Sequence, residues 1–185
     1  MTHEPLSPDG AVFLLVDHQT SVMDYVVKIP PREEVEANVA RLARTAVSLD
    51  IPLIFSTSEE KDNGTLLPAL ESIVPDAYAS RIERHGLIDS LAESAVAQAL
   101  AATGRRQLVT AGVGIEVCGI PVALHAHHDG YQVTFVADAT GSLTALGHDL
   151  ALRRMEHAGI TVTTTATLIA ELAVTYPTQM QLMRG

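Results

Sequence analysis

The sequence predicts one α/β domain over residues 1–185, a three-layer α/β/α sandwich around a parallel sheet of six strands. Three observations predict it. Apolar runs alternate with segments of helical period along the chain. The first run, Ala11–Val16, is apolar without a break, as a parallel strand buried on both faces should be. Gly104, Gly130 and Gly159 each follow a helical segment, where a C-cap favours positive φ. Strands and helices that alternate in this way join through right-handed crossovers.

The elements follow in order. After the strand Ala11–Val16, Pro30–Pro31 opens a helix whose first turn carries Glu33 and Glu34, where the helix dipole favours acid. Val35, Val39, Leu42, Ala46 and Leu49 mark its inner face at helical spacing. Ile51–Thr57 reads as a second strand. Ser58–Pro75 is irregular, with a short helix candidate at Pro68–Ser72, and a short third strand is expected near Ala79–Glu83. Ala92–Ala102 is helical, Gln107–Ala111 is a fourth strand, and Val117–His128 is helical. Tyr131–Ala137 is a fifth strand, Leu143–Ala158 a helix and Ile160–Thr164 a sixth strand, followed by the helix Leu168–Val174. No repeat, linker or low-complexity tract interrupts the pattern.

Composition narrows the function classes. The chain is 47% hydrophobic but only 4% aromatic and has no Trp, so its core is aliphatic. Its formal net charge is −10, and its longest basic runs are the pairs Arg105–Arg106 and Arg153–Arg154, which argues against a nucleic-acid partner. No apolar stretch reaches the roughly 20 residues that span a bilayer, and the polar stretch Met1–Gly10 does not read as a signal peptide. The expectation is a cytoplasmic protein with no membrane partner. Its single cysteine, Cys118, cannot form an internal disulfide, which fits a reducing compartment.

In open parallel sheets, ligands bind beyond the carboxyl ends of the strands. Three reactive residues are predicted to converge there. Asp17 is the first polar residue after the buried run, Arg84 follows the third strand, and Cys118 lies past the fourth strand in the first turn of a helix. Each alone has a plain structural reading: Asp17 as a loop cap, Arg84 as a charged strand end, Cys118 as a small buried apolar residue. Their joint placement points to chemistry. A helix N-terminus and a nearby cation lower a thiol pKa, whereas a neighbouring carboxylate raises it, so the sequence leaves both thiol and thiolate open. His125, His127 and His128 read as a solvated helix end.

The segment Leu108–Asp138 resembles the nucleophile region of the isochorismatase-like cysteine hydrolases. Their pattern, a strand followed by G-V-x-x-x-x-C, an Ala-rich helix, G-Y/F-x-V and V-x-D-A, is matched here by Gly112, Val113, Cys118, Gly130, Tyr131, Val133, Asp138 and Ala139. LLVDHQ at residues 14–19 resembles the family's first-strand signature, and His148 with Arg153–Met155 fits its later helix. VDHQ together with Arg84 in IERHG points to the YcaC-like subgroup.

The resemblance implies a Rossmann-like sheet of strand order 3-2-1-4-5-6 and a triad of Asp17, Arg84 and Cys118, with Arg84 at the family's Lys position. Arg cannot give up a proton at useful pH, so only electrostatic and orienting roles remain for it. The resemblance further implies a cis peptide at Val113–Gly114 and an oxyanion hole with donors from Gly114 and Cys118. Gln19 and Ile115 are expected substrate contacts, although a Thr is frequent in the family where Ile115 stands. Nicotinamidases of this superfamily hold a metal with an Asp and histidines after the second strand. Here that stretch reads SEEKDNGTL, so neither metal nor cofactor is expected.

The implied activity is cleavage of a small amide or related carbonyl compound, an amidase reaction through a thioester on Cys118. The partners are a small-molecule substrate and further copies of the chain in a tetramer or octamer, which the positive mean hydropathy also favours. Two other readings stand beside it: a non-covalent hydrolase of the isochorismatase type, and a non-catalytic oligomeric or redox-sensing thiol protein.

Overall fold

The computed structural model describes residues 4–184, so the first three residues of the stretch Met1–Gly10 lie outside it. The elements run β1 (Ala11–Val16), α1 (Thr20–Val26), α2 (Arg32–Ser48), β2 (Leu53–Ser58), α3 (Glu60–Asn63), α4 (Pro68–Ile73), α5 (Pro75–Ala79) and β3 (Ile82–Arg84). They continue α6 (Ser94–Ala102), β4 (Gln107–Gly112), α7 (Ile120–His128), β5 (Gln132–Val136), α8 (Ala145–His157), β6 (Thr161–Thr163), α9 (Thr165–Ala173) and α10 (Tyr176–Arg184).

The six strands form one sheet of order β3-β2-β1-β4-β5-β6, and every neighbouring pair is parallel. All six residues of β1 are fully buried, as its uninterrupted apolar run requires. Because side chains alternate across a strand, Ala11, Phe13 and Leu15 enter a core shared with Val35, Val39 and Leu42 of α2. Val12, Leu14 and Val16 enter the opposite core with Val96 and Leu100 of α6, Val122 of α7 and Met155 of α8. The two cores are the two interfaces of a three-layer sandwich. No helix among the described residues is long and apolar enough to cross a membrane.

The structure corrects three local expectations. The third strand is Ile82–Arg84, not Ala79–Glu83, because Pro75 starts helix α5 and that helix consumes residues up to Ala79. Arg84 is therefore the last residue of β3, in register with Ser58 of β2, rather than a residue beyond the strand. The helix after β4 begins at Ile120, and a π-helical turn, Ile115–Gly119, precedes it. Pro121 has no N–H for the carbonyl of Val117, so regular α-helical bonding does not extend back through Cys118. The wider turn closes instead through the Gly119 N–H, which donates to the Gly114 carbonyl at 3.3 Å. Helix α1, inside the segment that follows β1, was not anticipated from periodicity.

Candidate active site

The carboxyl ends of four adjacent strands meet at one edge of the sheet. Val16 of β1 is paired with Ser56 of β2 and Gly112 of β4, and Ser58 of β2 with Arg84 of β3. Asp17 follows directly with φ 59°, in the left-handed region that costs a non-glycine residue energy. Its own N–H donates to the Ser56 carbonyl at 2.9 Å, and its carbonyl accepts from the Gln19 N–H at 2.7 Å. This kink turns the Asp17 side chain off the sheet edge towards β3.

There Arg84 meets it in a two-pronged ion pair. Nη1 donates to Asp17 Oδ1 at 2.7 Å, and Nη2 donates to Oδ2 at 2.5 Å. Both side chains are buried, at 0% and 1% exposure, so neither charge could persist there alone. Arg84 also donates from Nη1 to Ser56 Oγ at 3.1 Å and from Nε to the Leu87 carbonyl at 2.8 Å. From Nη2 it further reaches the Ile88 carbonyl at 3.3 Å and Cys118 Sγ at 3.6 Å. Burial alone would lower the guanidinium pKa, but the hydrogen bonds and charge of Asp17 hold it above its ordinary value. The same nitrogen thus touches the carboxylate and the sulfur, so Asp17, Arg84 and Cys118 are brought together.

Burial pushes the Cys118 thiol pKa well above the usual range, and the adjacent Asp17 carboxylate pushes it the same way. Arg84 opposes the rise without reversing it. The resting form is therefore a neutral thiol. Of the two states the sequence left open, desolvation together with a like charge selects this one.

The peptide Val113–Gly114 is cis, and the turn that carries Cys118 leaves from it. The Ile115 N–H donates to the Gly141 carbonyl at 2.9 Å, and the Cys118 N–H donates to the Gly114 carbonyl at 2.9 Å. Gly114 lines the cavity beside Cys118, and an isolated parallel bridge joins Val113 to Gly141. A Cβ on Gly114 would lie 2.7 Å from Val26 Cγ1, so only glycine fits this approach of the backbone to α1.

These groups form one end of a cavity of about 630 Å³. Its walls are largely aliphatic, with Val22 and Val26 of α1, Leu87 and Ile88 after β3, Val117 beside the thiol and Leu143 before α8. Tyr25, Ser58, Glu59, Asn63, Glu116 and Thr144 contribute further polar surface. Two expected substrate contacts do not line it. Gln19 is buried, and its amide is consumed in holding the loop after β2. Its Nε2 donates to the carbonyls of Ser58 at 3.0 Å and Gly64 at 2.6 Å, and its Oε1 accepts from the Ser58 N–H at 2.8 Å. Ile115 points into the core between the sheet and α7. Helix α1 and Glu116 were missed as site elements. The apolar spacing of Val22 and Val26 was the available signal for the helix.

Among the described residues, no group of three or more His, Cys, Asp or Glu side chains is placed to hold a metal ion. His125 lies between two carboxylates, with Nδ1 2.7 Å from Asp89 and Nε2 3.4 Å from Asp129, away from the cavity. His85 is on the surface, where the Glu59 and Glu83 carboxylates raise its pKa.

Residues 11–167 match the family model described as the isochorismatase domain. The chain is 35% identical over 168 residues to the probable hydrolase YcaC of Escherichia coli (strain K12), across 90% of this chain and 79% of that protein. YcaC from Pseudomonas aeruginosa, solved with hexane-2,5-diol and covalent acrylamide, superposes with a TM-score of 0.90 at 32% identity, over 98% of this chain and 89% of that one. The crystal structure of Escherichia coli YcaC, described as an octameric hydrolase of unknown specificity, gives 0.82 at 32% identity, over 100% and 97%.

Proposed function

The chain belongs to the isochorismatase family, and on that premise we propose that it is a cysteine hydrolase that cleaves a small amide or related carbonyl substrate at its C–N bond through a thioester on Cys118. The observation that carries this reading is the Arg84 nitrogen that contacts both Asp17 and Cys118 at the end of an aliphatic cavity. Hydrolase is also the activity named for the YcaC relatives, and the covalent acrylamide in one of them, an electrophile that adds through its alkene carbon, supports a reactive nucleophile in that protein.

The mechanism follows from a neutral thiol. Sγ attacks the substrate carbonyl carbon while its proton passes to the Asp17 carboxylate, so that no free thiolate forms beside Asp17. The negative charge that develops on the carbonyl oxygen is received by the Gly114 N–H. The Cys118 N–H joins it where the turn can share that donor between the Gly114 carbonyl and the substrate. Asp17 then gives the proton to the leaving nitrogen, the C–N bond breaks, and a thioester and an amine remain. A water attacks the thioester as Asp17 takes its proton, which releases the acid and returns the proton to sulfur. Arg84 moves no proton. It fixes the carboxylate against the thiol and compensates its charge.

A screen of small amides, ureas and lactams tests the reading. Turnover should vanish in Cys118→Ala while the circular dichroism spectrum stays unchanged, and it should fall at least about a hundredfold in Asp17→Asn, which cannot take the proton and leaves the buried Arg84 charge uncompensated, so its turnover is read only on protein that a thermal melt shows to be folded. Turnover in Cys118→Ala equal to the parent would return the site to a non-covalent hydrolase. We further propose a soluble cytoplasmic homo-oligomer. The octamer described for one relative supports it, as do Leu143, just before α8, and Leu146 and Leu150 on its first turns, which stand more than half exposed.

A further inference from the structure

The cavity contains more acid than base, and this limits what can enter it. Among the described residues that line it, Arg84 is the one cation. That guanidinium is fully buried and already donates to Asp17, Ser56, Leu87 and Ile88, so it has no N–H left for a substrate carboxylate. Its charge is cancelled by Asp17 two-pronged across the same nitrogens.

Two further carboxylates face the cavity. Glu59 is tied at the rim by the Gly86 N–H, which donates to it at 2.7 Å, and by His85 at 3.3 Å. These contacts lower its pKa, the Gly86 bond most, so it stays ionised. Glu116 forms no ion pair among the described residues. Its Oε1 accepts the Ser142 hydroxyl, and a Cβ at Gly147 would collide with that oxygen. The carboxylate is thereby wedged in place by the first turn of α8, with Oε2 only 3.7 Å from the position a Gly114 Cβ would occupy. It lies beside the Gly114 backbone that lines the cavity next to Cys118.

We propose that the site takes uncharged or cationic substrates with a small aliphatic body and rejects carboxylate-bearing ones, and that Glu116 sets this preference. The inference rests on Cys118 being the reacting group, and it narrows the substrate class of the same site. A substrate carboxylate in this cavity would lose water, find no unspent cation and face Glu116 across apolar walls, and each of these effects opposes its entry. An amide N–H or an ammonium group would instead find an acceptor in Glu116.

Alkylation rates read this without knowledge of the natural substrate. Iodoacetamide and iodoacetate differ chiefly in charge, and each transfers its CH2 carbon to Cys118 Sγ with loss of iodide and the thiol proton. The rate ratio of iodoacetamide to iodoacetate at Cys118 should exceed the ratio for N-acetylcysteine in the same buffer by about tenfold or more. Glu116→Gln, which keeps the acceptor for Ser142, should bring the excess down several-fold. A wild-type ratio equal to that of the free thiol overturns the charge selection and leaves the nucleophile in place. An excess unchanged in Glu116→Gln overturns the role of Glu116. Failure of both reagents to label Cys118 overturns the nucleophile reading and this inference together. The wild-type ratio decides the first point even where the variant does not fold.

Discussion

Arg84 commits its whole guanidinium to the protein, and this determines what its replacement should do. Lysine would keep the positive charge beside Asp17 but has a single nitrogen, whereas Arg84 holds both Asp17 oxygens and the carbonyls of Leu87 and Ile88 at once. Arg84→Lys should therefore stay folded with the loop after β3 loosened, and turnover should fall by about ten- to a hundredfold because the carboxylate loses its fixed orientation. Steady-state kinetics on the best amide from the screen would check this, and unchanged kinetics would show that charge alone suffices. At this scale the sequence was informative about Asp17, Arg84 and Cys118, since strand ends in a parallel sheet face one edge. Gln19 and Ile115, expected as substrate contacts from the family resemblance, lie outside the cavity lining. Their proximity in sequence to Asp17 and Cys118 says nothing of which way a side chain turns. A positive φ at Asp17 and a π-helical turn before α7 decide that, and neither leaves a periodic signal.

At the scale of elements, His18 shows how the turn after β1 is locked to the rest of the site. Its Nε2 donates to the Ala139 carbonyl at 2.8 Å, while Nδ1 is buried without a partner among the described residues. The next residues of that loop hold the cis-peptide region: Thr140 Oγ1 accepts from the Gly112 N–H at 3.1 Å, and the Gly141 carbonyl accepts from the Ile115 N–H at 2.9 Å. Burial lowers the His18 pKa, outweighing the Ala139 bond and the Asp17 charge, so the folded protein holds this ring neutral. The unfolded chain binds a proton there near pH 6.5, and the folded one binds it only at lower pH. Stability from this group is therefore complete above about pH 6.5 and is lost as pH falls from there towards the lowered folded value. Urea midpoints should drop between pH 7 and pH 5, and His18→Gln should flatten that slope. An identical slope in the variant would assign the acid sensitivity elsewhere. The strands were legible as elements because buried apolar runs are their own signal. The start of β3 was not, because Pro75 can open a helix as readily as close a loop, and the pairing of Arg84 with Ser58 is a long-range choice.

At the scale of the molecule, the parallel sheet and its two largely aliphatic cores follow from the alternation of short strands with helices, the strand order was implied by the family resemblance, and the assembly is not written in the pattern. Leu143, Leu146 and Leu150 are exposed at 56%, 68% and 54%, next to the cavity wall, and an apolar row of that kind is commonly covered in solution. Light scattering at micromolar concentration should return the mass of a tetramer or octamer of the 19.7 kDa chain, and a monomer mass would refute the oligomer. The central claim, however, is covalent catalysis at Cys118, and trapping the intermediate tests it most directly. The protein should be mixed with the fastest amide from the screen, quenched in acid within the first turnover and weighed intact. The mass should increase by the acyl group, on the peptide that contains Cys118, with no increase in Cys118→Ala and with release by hydroxylamine as a thioester is released. Rapid turnover of that amide with no acyl adduct, and undiminished in Cys118→Ala, would contradict it.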